Sequence, residues 1–375
     1  MTQKKLDAEG RLQLLVRFGG QMAEEKRLGP LLELVAEQVS RILNGDRCTV
    51  FLVDHKAGVL ISTVAQGMKH TEIRVPLGLG IAGQVASEGN VINVPDAYAD
   101  PRFSADMDRV TGYKTRSVLA VPLKNNKGAI MGVFQVLNKA GGAAFDDDDQ
   151  GLLLLLASVA AGAIENAKLY DEVKRSQLET IYRLAVTAEF RDQKDASRHL
   201  KNISIISYLL AQAMGLSTEE AEAIKHASPL HDIGKVGVRD AVLLKPCALN
   251  AEELEEMRRH TLFGAKILEN AESSLLQLAH RISASHHENF DGSGYPCGLK
   301  GEEIPLEARI ISVADVFDAL CMPRVYKEAW PTERACQYIR SGAGTLFDPK
   351  AALAFETIYP VVKKFYEPEG APDIV

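Results

Sequence analysis

Residues whose side chains can ligate metal ions are concentrated in the second half of the chain. Of the nine histidines in the sequence, seven fall within residues 199–287. The densest segment, HASPLHDIGKV at residues 226–236, places His231 and Asp232 side by side and Lys235 shortly after them. Two metal-grade ligands and a cation therefore lie within about one helical turn. Chance rarely gathers imidazoles so densely at a protein surface, so the sequence predicts a metal centre.

A hydrolase that uses two metal ions needs histidine and aspartate ligands from several helices, with one carboxylate shared between the ions. Asp195 and His199 are spaced i,i+4 and would share one helix face. Ligation by nitrogen and oxygen, without cysteine, favours iron or manganese over structural zinc. The candidate ligands are Asp195, His199, His231, Asp232, His260, His286, His287 and Asp315.

The segments that must position these ligands have a helical pattern. From residue 191 onward, apolar residues recur at helical spacing, and breaks fall at residues such as Gly215 and Pro323. Ser217 and Asn250 each stand three positions before a glutamate, which is typical of a helix start. The second half is therefore expected to be all-α. Its expected helices span residues 199–215, 218–230, 251–269, 273–286, 306–321, 331–341 and 350–366.

The first half changes its pattern after a helix within residues 11–43. From residue 46, short apolar runs separated by turn residues predict antiparallel strands. The last two strands are joined by a tight turn at residues 125–128. A sheet with helices before and after it indicates an α+β fold of the sensory type. The expected strands lie in RCTVFLVD, VLISTVAQG, TEIRVPL, VINVPD and the two arms of RSVLAVPLKNNKGAIMGVFQVLNK.

Residues 150–190 are expected to form one long helix, because they contain no proline and glycine only at Gly151 and Gly162. A helix of about 40 residues that is polar over much of its surface is stable only with a partner. We therefore expect a parallel homodimer that pairs through this helix. Its most apolar run, LLLLLASVAAGAI, has 13 residues and is too short to span a bilayer.

Composition limits the classes of function. With 375 residues, 46% hydrophobic and 25% charged, the chain fits a soluble protein of two domains. The net charge of −7 gives no global positive field, so neither nucleic acid nor a membrane is an expected partner. The five cysteines are scattered and never spaced as CxxC, which favours a reducing compartment. The opening segment MTQKKLDAEGRLQ lacks a signal-peptide pattern, so the protein is expected to be cytoplasmic.

The first half resembles a known family. The segments GLGIAGQVA, VINVPDAYADPRF and GVFQVLNK together are similar to those of a GAF domain over about residues 15–165. This resemblance implies a six-stranded sheet with a small-molecule pocket on one face. Four residues resemble the signature of GAF domains that bind cyclic nucleotides, although Gln150 stands where that signature has glutamate. They are Asn138, Lys139, Phe145 and Asp149. Two interpretations stay open: the pocket takes a cyclic nucleotide or another small ligand, or the four residues only stabilise the fold.

The second half resembles a different family. The motifs HDIGK, HHENFDGSGYP, ADVFDAL, PRVYK and FDP, over about residues 185–355, are similar to those of HD-GYP phosphodiesterases, which hydrolyse the bacterial second messenger cyclic di-GMP. The resemblance implies an all-α metallohydrolase domain with two or three divalent ions. It places the metal ligands at His199, His231, Asp232, His260, His286, His287 and Asp315. It places substrate contacts at Lys235, Gly294, Tyr295, Arg324 and Lys327.

Within this resemblance, Asp232 and Lys235 are the predicted catalytic residues. Asp232 would be shared by two ions that activate a water molecule, and Lys235 would stabilise charge on the attacked phosphate. Tyr295 is expected near the guanine of the substrate.

Some positions have more than one interpretation. Asp195 stands where some family members carry a glutamate that helps to hold a third ion, but its side chain is one methylene shorter. The alternative role for Asp195 is to cap the helix that bears His199. Glu288 and Asp291 are candidates for orienting the adjacent histidines of the HHENFD segment.

Three functions are compatible with these residues. The leading one is hydrolysis of cyclic di-GMP to pGpG, with GMP as a further product, regulated by the GAF domain. The second is hydrolysis of another cyclic dinucleotide such as cyclic GMP-AMP. The third is a non-catalytic cyclic di-GMP receptor that signals through the GYP surface, where GGDEF-type proteins are expected partners. The expected domains are a GAF domain with its leading helix at 1–150, a connecting signalling helix at 151–190 and the HD-GYP domain at 191–375.

Overall fold

The computed structural model describes residues 8–65, 73–192, 195–322 and 328–366. The chain divides into two compact units, Met1–Arg175 and Ser176–Val375. This division lies within the helix that was expected to connect the domains. The first unit combines a sheet with helices and the second is all-α, so the predicted fold classes are confirmed.

The first unit contains one antiparallel sheet of six strands in the order β3-β2-β1-β6-β5-β4. The first three strands pair consecutively, as expected for antiparallel strands that follow one another along the chain. The last strand returns to the centre of the sheet and pairs with β1, with Val50 opposite Phe134. The strands are β1 Gly45–Asp54, β2 Val59–Ala65, β3 Ile73–Pro76, β4 Ile92–Val94, β5 Val118–Lys124 and β6 Ile130–Lys139.

Helices cover both faces of this sheet. Successive side chains of a strand point to opposite faces, and β5 is apolar on both. Leu119 and Val121 belong to the core that includes residues of α1, α2 and α5, whereas Val118 and Ala120 belong to a second core with α3. The helices of this unit are α1 Ala8–Glu24, α2 Leu28–Leu43, α3 Gly80–Glu88, α4 Asp106–Thr111 and the first part of α5 Asp147–Glu189.

Helix α5 has 43 residues and confirms the predicted connecting helix. Three aspartates stand in its first turn, where carboxylates interact favourably with the helix dipole. By length and composition it could cross a membrane, although 39% of its most apolar window is buried in the protein. Leu153, Leu156 and Ile164 are buried in the core of the first unit. Packing in this core therefore explains part of the apolar run of α5, whereas Leu154 and Leu155 are exposed.

The second unit is a set of helices around one apolar core that includes Ile203, Leu210, Phe317 and Phe355. The helix beginnings expected at Ser217 and Asn250 both form complete capping boxes. The helices are α6 Ala196–Ala213, α7 Thr218–Ala227, α8 Asp240–Leu243, α9 Ala251–Arg258, α10 His260–Ile267, α11 Ser274–Ser285, α12 Leu306–Cys321, α13 Thr332–Ser341 and α14 Pro349–Val362.

Several expected helices differ in detail. The leading helix expected within residues 11–43 is two helices, α1 and α2, and the segment expected over 218–230 is α7 followed by a 3-10 turn at Ser228–Leu230. The segment predicted as one helix over 251–269 is two helices, α9 and α10, that meet at Arg259 and His260. The segment predicted over 350–366 is α14 followed by a short 3-10 turn at Lys363–Tyr366.

Candidate metal centre

The HDIGK motif lies between two short 3-10 turns, Ser228–Leu230 and Ile233–Gly237. His231 and Asp232 occupy the junction and are buried. Gly234 allows this segment to approach α10 closely, because a Cβ atom there would lie 1.9 Å from the carbonyl oxygen of His260. The glycine of the motif therefore brings His260 next to Asp232.

Asp232 belongs to one group of candidate ligands and faces a second group. One group consists of Asp232, His260, His286 and His287, whose ligand atoms all lie within 4.8 Å of one another. Oδ1 of Asp232 is 3.1 Å from Nε2 of His260 and 3.4 Å from Nε2 of His286. Oδ2 is turned the other way and lies 3.3 Å from Nε2 of His231. The two oxygens of one carboxylate thus face two different sets of imidazoles, as the predicted shared ligand requires.

The second group contains Glu189, His199 and His231, again with ligand atoms within 4.8 Å of one another. Oδ1 of Asp315 lies 3.8 Å from Nε2 of His199 and 3.9 Å from Nε2 of His231. Seven of the eight candidate ligands predicted from the sequence therefore come together, from α6, the HDIGK segment, the start of α10, the end of α11 and α12.

Glu189, the last residue of α5, is a member of this centre that the sequence did not reveal. Its carboxylate is 1% exposed and lies 3.8 Å from Nε2 of His199 and 3.9 Å from Nε2 of His231. Burial raises the pKa of Glu189 by more than Lys235 and the two histidines lower it, so the pKa lies above its ordinary value. A glutamate at the end of a long charged helix resembles a surface residue in the sequence, so no local signal marked it.

Asp195 does not join the cluster, which corrects the expectation of a third-ion ligand at this position. Its side chain is exposed and accepts a hydrogen bond from the backbone N–H of Arg198 at the start of α6. The capping alternative therefore describes Asp195. An aspartate at an N-cap directs its short carboxylate to the N–H groups of its own helix, away from the face that carries His199.

The imidazoles are oriented so that Nε2 points into the centre. Nδ1 of His231 lies 3.0 Å from the carbonyl oxygen of Ser228, and Nδ1 of His260 lies 2.7 Å from that of Met257. Backbone carbonyls accept from N–H, so each Nδ1 carries a proton, and when the ring is neutral its Nε2 keeps the lone pair. Such a tautomer is the one that ligates a metal ion.

Polar atoms in the centre fit a cation. Among the described residues, both carboxylate oxygens of Glu189 and Nε2 of His199 and His231 are buried without a hydrogen-bond partner. Buried polar atoms are rarely left unpaired. Burial alone would lower the pKa of His231, but Asp232, Asp315 and Glu189 raise it to about 10. The site is therefore short of positive charge, and divalent ions held by these residues would supply it.

Lys235 lies beside the centre between two carboxylates. Its Nζ is 2.8 Å from Oδ2 of Asp232 and 2.8 Å from Oδ2 of Asp192. Burial lowers the pKa of Lys235, but Asp232, Glu189 and Asp192 outweigh burial and raise the pKa above its ordinary value. The lysine is therefore a fixed ammonium group next to the shared carboxylate.

The GYP loop, residues 292–296, packs against the first group of ligands. The ring of Tyr295 stacks on His287, with centroids 4.9 Å apart and planes 28° apart, and the guanidinium carbon of Arg258 lies 5.1 Å from the tyrosine ring. Gly294 is required for packing, because a Cβ there would lie 2.2 Å from the backbone nitrogen of Asn289.

Glu288 stabilises the GYP loop instead of orienting a histidine. It accepts hydrogen bonds from the backbone N–H groups of Cys297 at 2.7 Å and Leu299 at 3.1 Å. Asp291 accepts from the backbone N–H of Ser293 within the same loop. The predicted phosphate contacts Arg324 and Lys327 lie outside the described residues.

The first unit contains a cavity of about 180 Å³ on the α3 side of the sheet. Arg47 lines it and stacks on Tyr113, with its guanidinium carbon 3.8 Å from the ring centroid. None of the four signature residues lines this cavity. Lys139 pairs with Asp149, and Oδ1 of Asn138 accepts from the backbone N–H groups of Arg116 and Ser117. These contacts agree with the fold-stabilising interpretation.

Two family models match the chain. One described as GAF domain matches residues 27–164, and one described as HD domain matches residues 179–351. Among solved structures, the GAF domain of a phosphoenolpyruvate-protein phosphotransferase from Coxiella burnetii covers 44% of this chain and 99% of that chain, with 22% sequence identity and a TM-score of 0.41.

Curated relatives match about half of the chain. The cyclic di-GMP phosphodiesterase response regulator RpfG of Xanthomonas campestris pv. campestris (strain 8004) is 47% identical over 184 residues, covering 49% of this chain and 48% of that protein. A cyclic di-GMP phosphodiesterase of Thermotoga maritima is 39% identical over 206 residues, covering 55% and 56%. The 3'3'-cGAMP-specific phosphodiesterase 2 of Vibrio cholerae is 40% identical over 186 residues, covering 50% and 35%. The chain thus spans about half, or less, of the length of these relatives.

Proposed function

We propose that this chain, which belongs to the GAF and HD domain families and is of the HD-GYP type, is a metal-dependent phosphodiesterase that hydrolyses cyclic di-GMP. The observation that carries the proposal is the convergence of five buried or half-buried histidines on Asp232 and Glu189. Two relatives named as cyclic di-GMP phosphodiesterases support the choice of substrate.

In the proposed centre, Asp232, His260, His286 and His287 would hold one divalent ion, and Glu189, His199 and His231 would hold another. Glu189 is proposed as a carboxylate ligand of the second group, and Asp195, which was expected to help hold a third ion, is not part of this centre. Nitrogen and oxygen ligands favour iron or manganese. When bound, such ions supply Lewis-acid charge to the phosphate and activate a water molecule.

The other side chains have roles that follow from their positions. The Lys235 ammonium, held by two carboxylates, offers a positive charge to a non-bridging phosphate oxygen. Tyr295 extends the aromatic surface that begins at His287 and offers a stacking face for guanine. Arg324 and Lys327 are proposed as further phosphate contacts, and Gly294 as the point where the substrate meets the loop backbone.

The test uses the full chain, purified under reducing conditions and loaded with Fe²⁺ or Mn²⁺. Metal content is measured together with chromatography of the products from cyclic di-GMP. We expect pGpG, followed by GMP, and no product from Asp232→Ala. Asp106→Ala, whose side chain is 79% exposed in the GAF unit, is the matched control and should retain the activity.

Two other functions remain as outcomes of this test. Faster hydrolysis of cyclic GMP-AMP than of cyclic di-GMP would indicate that cyclic GMP-AMP is the substrate. This alternative is tested because one relative is named as a cGAMP-specific phosphodiesterase. Binding of cyclic di-GMP by metal-loaded protein without hydrolysis would indicate a receptor that signals through the GYP surface. In that case the proposed activity is wrong.

We further propose that the GAF cavity binds a small regulatory ligand, with a cyclic nucleotide among the candidates.

We also propose that the protein is cytoplasmic and forms a homodimer that pairs through α5. Leu169, Tyr170 and Val173 are 53%, 52% and 56% exposed on this helix and offer apolar contacts for pairing. The GYP loop is the proposed contact for GGDEF-type proteins. The proposed domain limits are residues 1–150, 151–190 and 191–375.

A further inference from the structure

The ring of His199 is oriented by a different kind of contact from the rings of His231 and His260. His231 and His260 each direct Nδ1 to a backbone carbonyl three residues earlier. His199 instead donates from Nδ1 to Oδ2 of Asp318, at 2.5 Å and across 119 positions of the sequence. The other two rings are thus oriented by their own segment, whereas His199 is oriented by a distant carboxylate.

Asp318 is fully buried and is surrounded by donors. Besides His199, Nδ2 of Asn202 donates to its Oδ1 at 2.7 Å, and the hydroxyl of Tyr366 donates to the same oxygen. A buried carboxylate is costly unless hydrogen bonds satisfy it. Burial and the neighbouring Asp318 raise the pKa of Tyr366 above its ordinary value, so its hydroxyl keeps its proton and donates.

Tyr366 comes from the 3-10 turn Lys363–Tyr366, which follows α14 and lies beyond the residues matched by the HD family model. The turn is anchored at several points. Phe365 belongs to the apolar core, the ring of Tyr366 meets Phe317 edge-on at 5.5 Å, and the carbonyl of Phe365 accepts from Arg198 at 3.4 Å. This anchoring fixes the tyrosine hydroxyl on Asp318.

We propose that Asp318 and Tyr366 are positioning residues that hold His199 as a metal ligand, so that the 363–366 turn controls occupancy of the Glu189–His199–His231 group. The inference rests on the proposed metal centre. With Nδ1–H bound to the carboxylate, Nε2 of His199 keeps its lone pair and faces Glu189 and Asp315. A carboxylate partner also makes the imidazole a stronger ligand, and loss of such partners typically lowers metal affinity about 10- to 100-fold.

Removal of the tyrosine hydroxyl acts on one group of ligands only. Of the three donors that the described residues offer to Asp318, the variant removes one, so the carboxylate and the His199 ring are held less firmly. Within the part of the chain that the structure describes, the hydrogen-bond partners of Asp318 are His199, Asn202 and Tyr366, and none of them belongs to the Asp232–His260–His286–His287 group. We therefore expect the two groups to respond differently.

The experiment compares the full-length wild type with Tyr366→Phe and with Tyr359→Phe as matched control. Tyr359 also packs against Phe317, but its hydroxyl contacts Thr332 and not Asp318. Each protein is stripped of metal and titrated with Mn²⁺, and the stoichiometry and the affinity of each step are measured. Asp318→Asn is a second variant, and thermal unfolding of the metal-free proteins checks that each variant is folded.

Tyr366→Phe is expected to weaken one binding step about tenfold and to leave the other within about twofold. Tyr359→Phe should match the wild type, and Asp318→Asn should lose more affinity than Tyr366→Phe. Equal stoichiometry and affinities in Tyr366→Phe and the wild type would overturn the inference while leaving the proposed function intact. A wild type that binds Mn²⁺ in two steps but does not hydrolyse cyclic di-GMP would contradict the proposed function alone. A wild type that binds no Mn²⁺ would contradict both.

Discussion

A carboxylate oxygen of Glu189 lies 3.9 Å from Nε2 of His231, and both side chains are buried. Glu189 is the last residue of α5, and the first part of the same helix supplies Leu153 and Leu156 to the core of the GAF unit. One helix therefore carries residues of the core of the first unit and a residue of the proposed metal centre. A shift of the C-terminal end of α5 would move the Glu189 carboxylate and thereby alter the second group of ligands, Glu189, His199 and His231.

Glu189→Gln tests this relationship, because it keeps the shape of the side chain and removes its charge. We expect loss of one of the two metal ions and a fall in cyclic di-GMP hydrolysis of at least about tenfold, as for other groups that tune a metal site. Metal analysis and product chromatography provide the readouts. Glu179→Gln, on the same helix with a side chain that is 64% exposed, is the control and should behave as wild type. Two ions per chain in Glu189→Gln would contradict the assignment of this ligand.

Lys235→Met should separate catalysis from metal binding. The variant removes the ammonium that lies 2.8 Å from Asp232 but none of the proposed ligands. We expect metal content to stay near that of the wild type and hydrolysis to fall about 100-fold or more, the size of effect that follows loss of a group that stabilises transition-state charge. Lys201→Met, on the exposed side of α6, is the control. Hydrolysis at the wild-type rate would exclude a catalytic role for Lys235.

Gly234→Ala should disturb the metal centre through packing alone. The new methyl group would lie 1.9 Å from the carbonyl oxygen of His260 and 2.3 Å from the nitrogen of Gly264, so α10 has to move. We expect the free energy of unfolding to fall by about 1–3 kcal/mol, typical of overpacking, together with weaker metal binding. Denaturant unfolding measures the first effect. Gly151→Ala, in helix α5 with no heavy atom within 4 Å of the added carbon, should not destabilise the protein.

Lys139→Met decides between the two interpretations of the GAF signature. Lys139 and Asp149 form an ion pair whose side chains are 21% and 14% exposed, and neither residue lines the cavity. Loss of the lysine leaves the largely buried Asp149 carboxylate with the backbone N–H of Asp146 but without a cation, so we expect the free energy of unfolding of the GAF unit to fall by about 1–3 kcal/mol. Thermal unfolding provides the measurement, with Arg183→Met at an exposed ion pair as control. An unchanged melting temperature would contradict the structural role.

Local patterns in the sequence predicted the element types well. The apolar runs that form β1 and β5, the capping boxes at Ser217 and Asn250, and the uninterrupted helix after Asp147 all appear in the structure. These features depend on interactions between residues a few positions apart, so the sequence alone is sufficient to determine them.

The sequence by itself determined which residues can ligate metal, because imidazoles and carboxylates cluster in motifs such as HDIGK and HHENFD. Only the tertiary structure decided that Glu189 enters the centre and that Asp195 caps a helix instead. It also decided that Asp318 and Tyr366 orient His199. These outcomes depend on how distant helices pack and which polar groups each buried carboxylate finds there, and spacing along the chain carries no information on either.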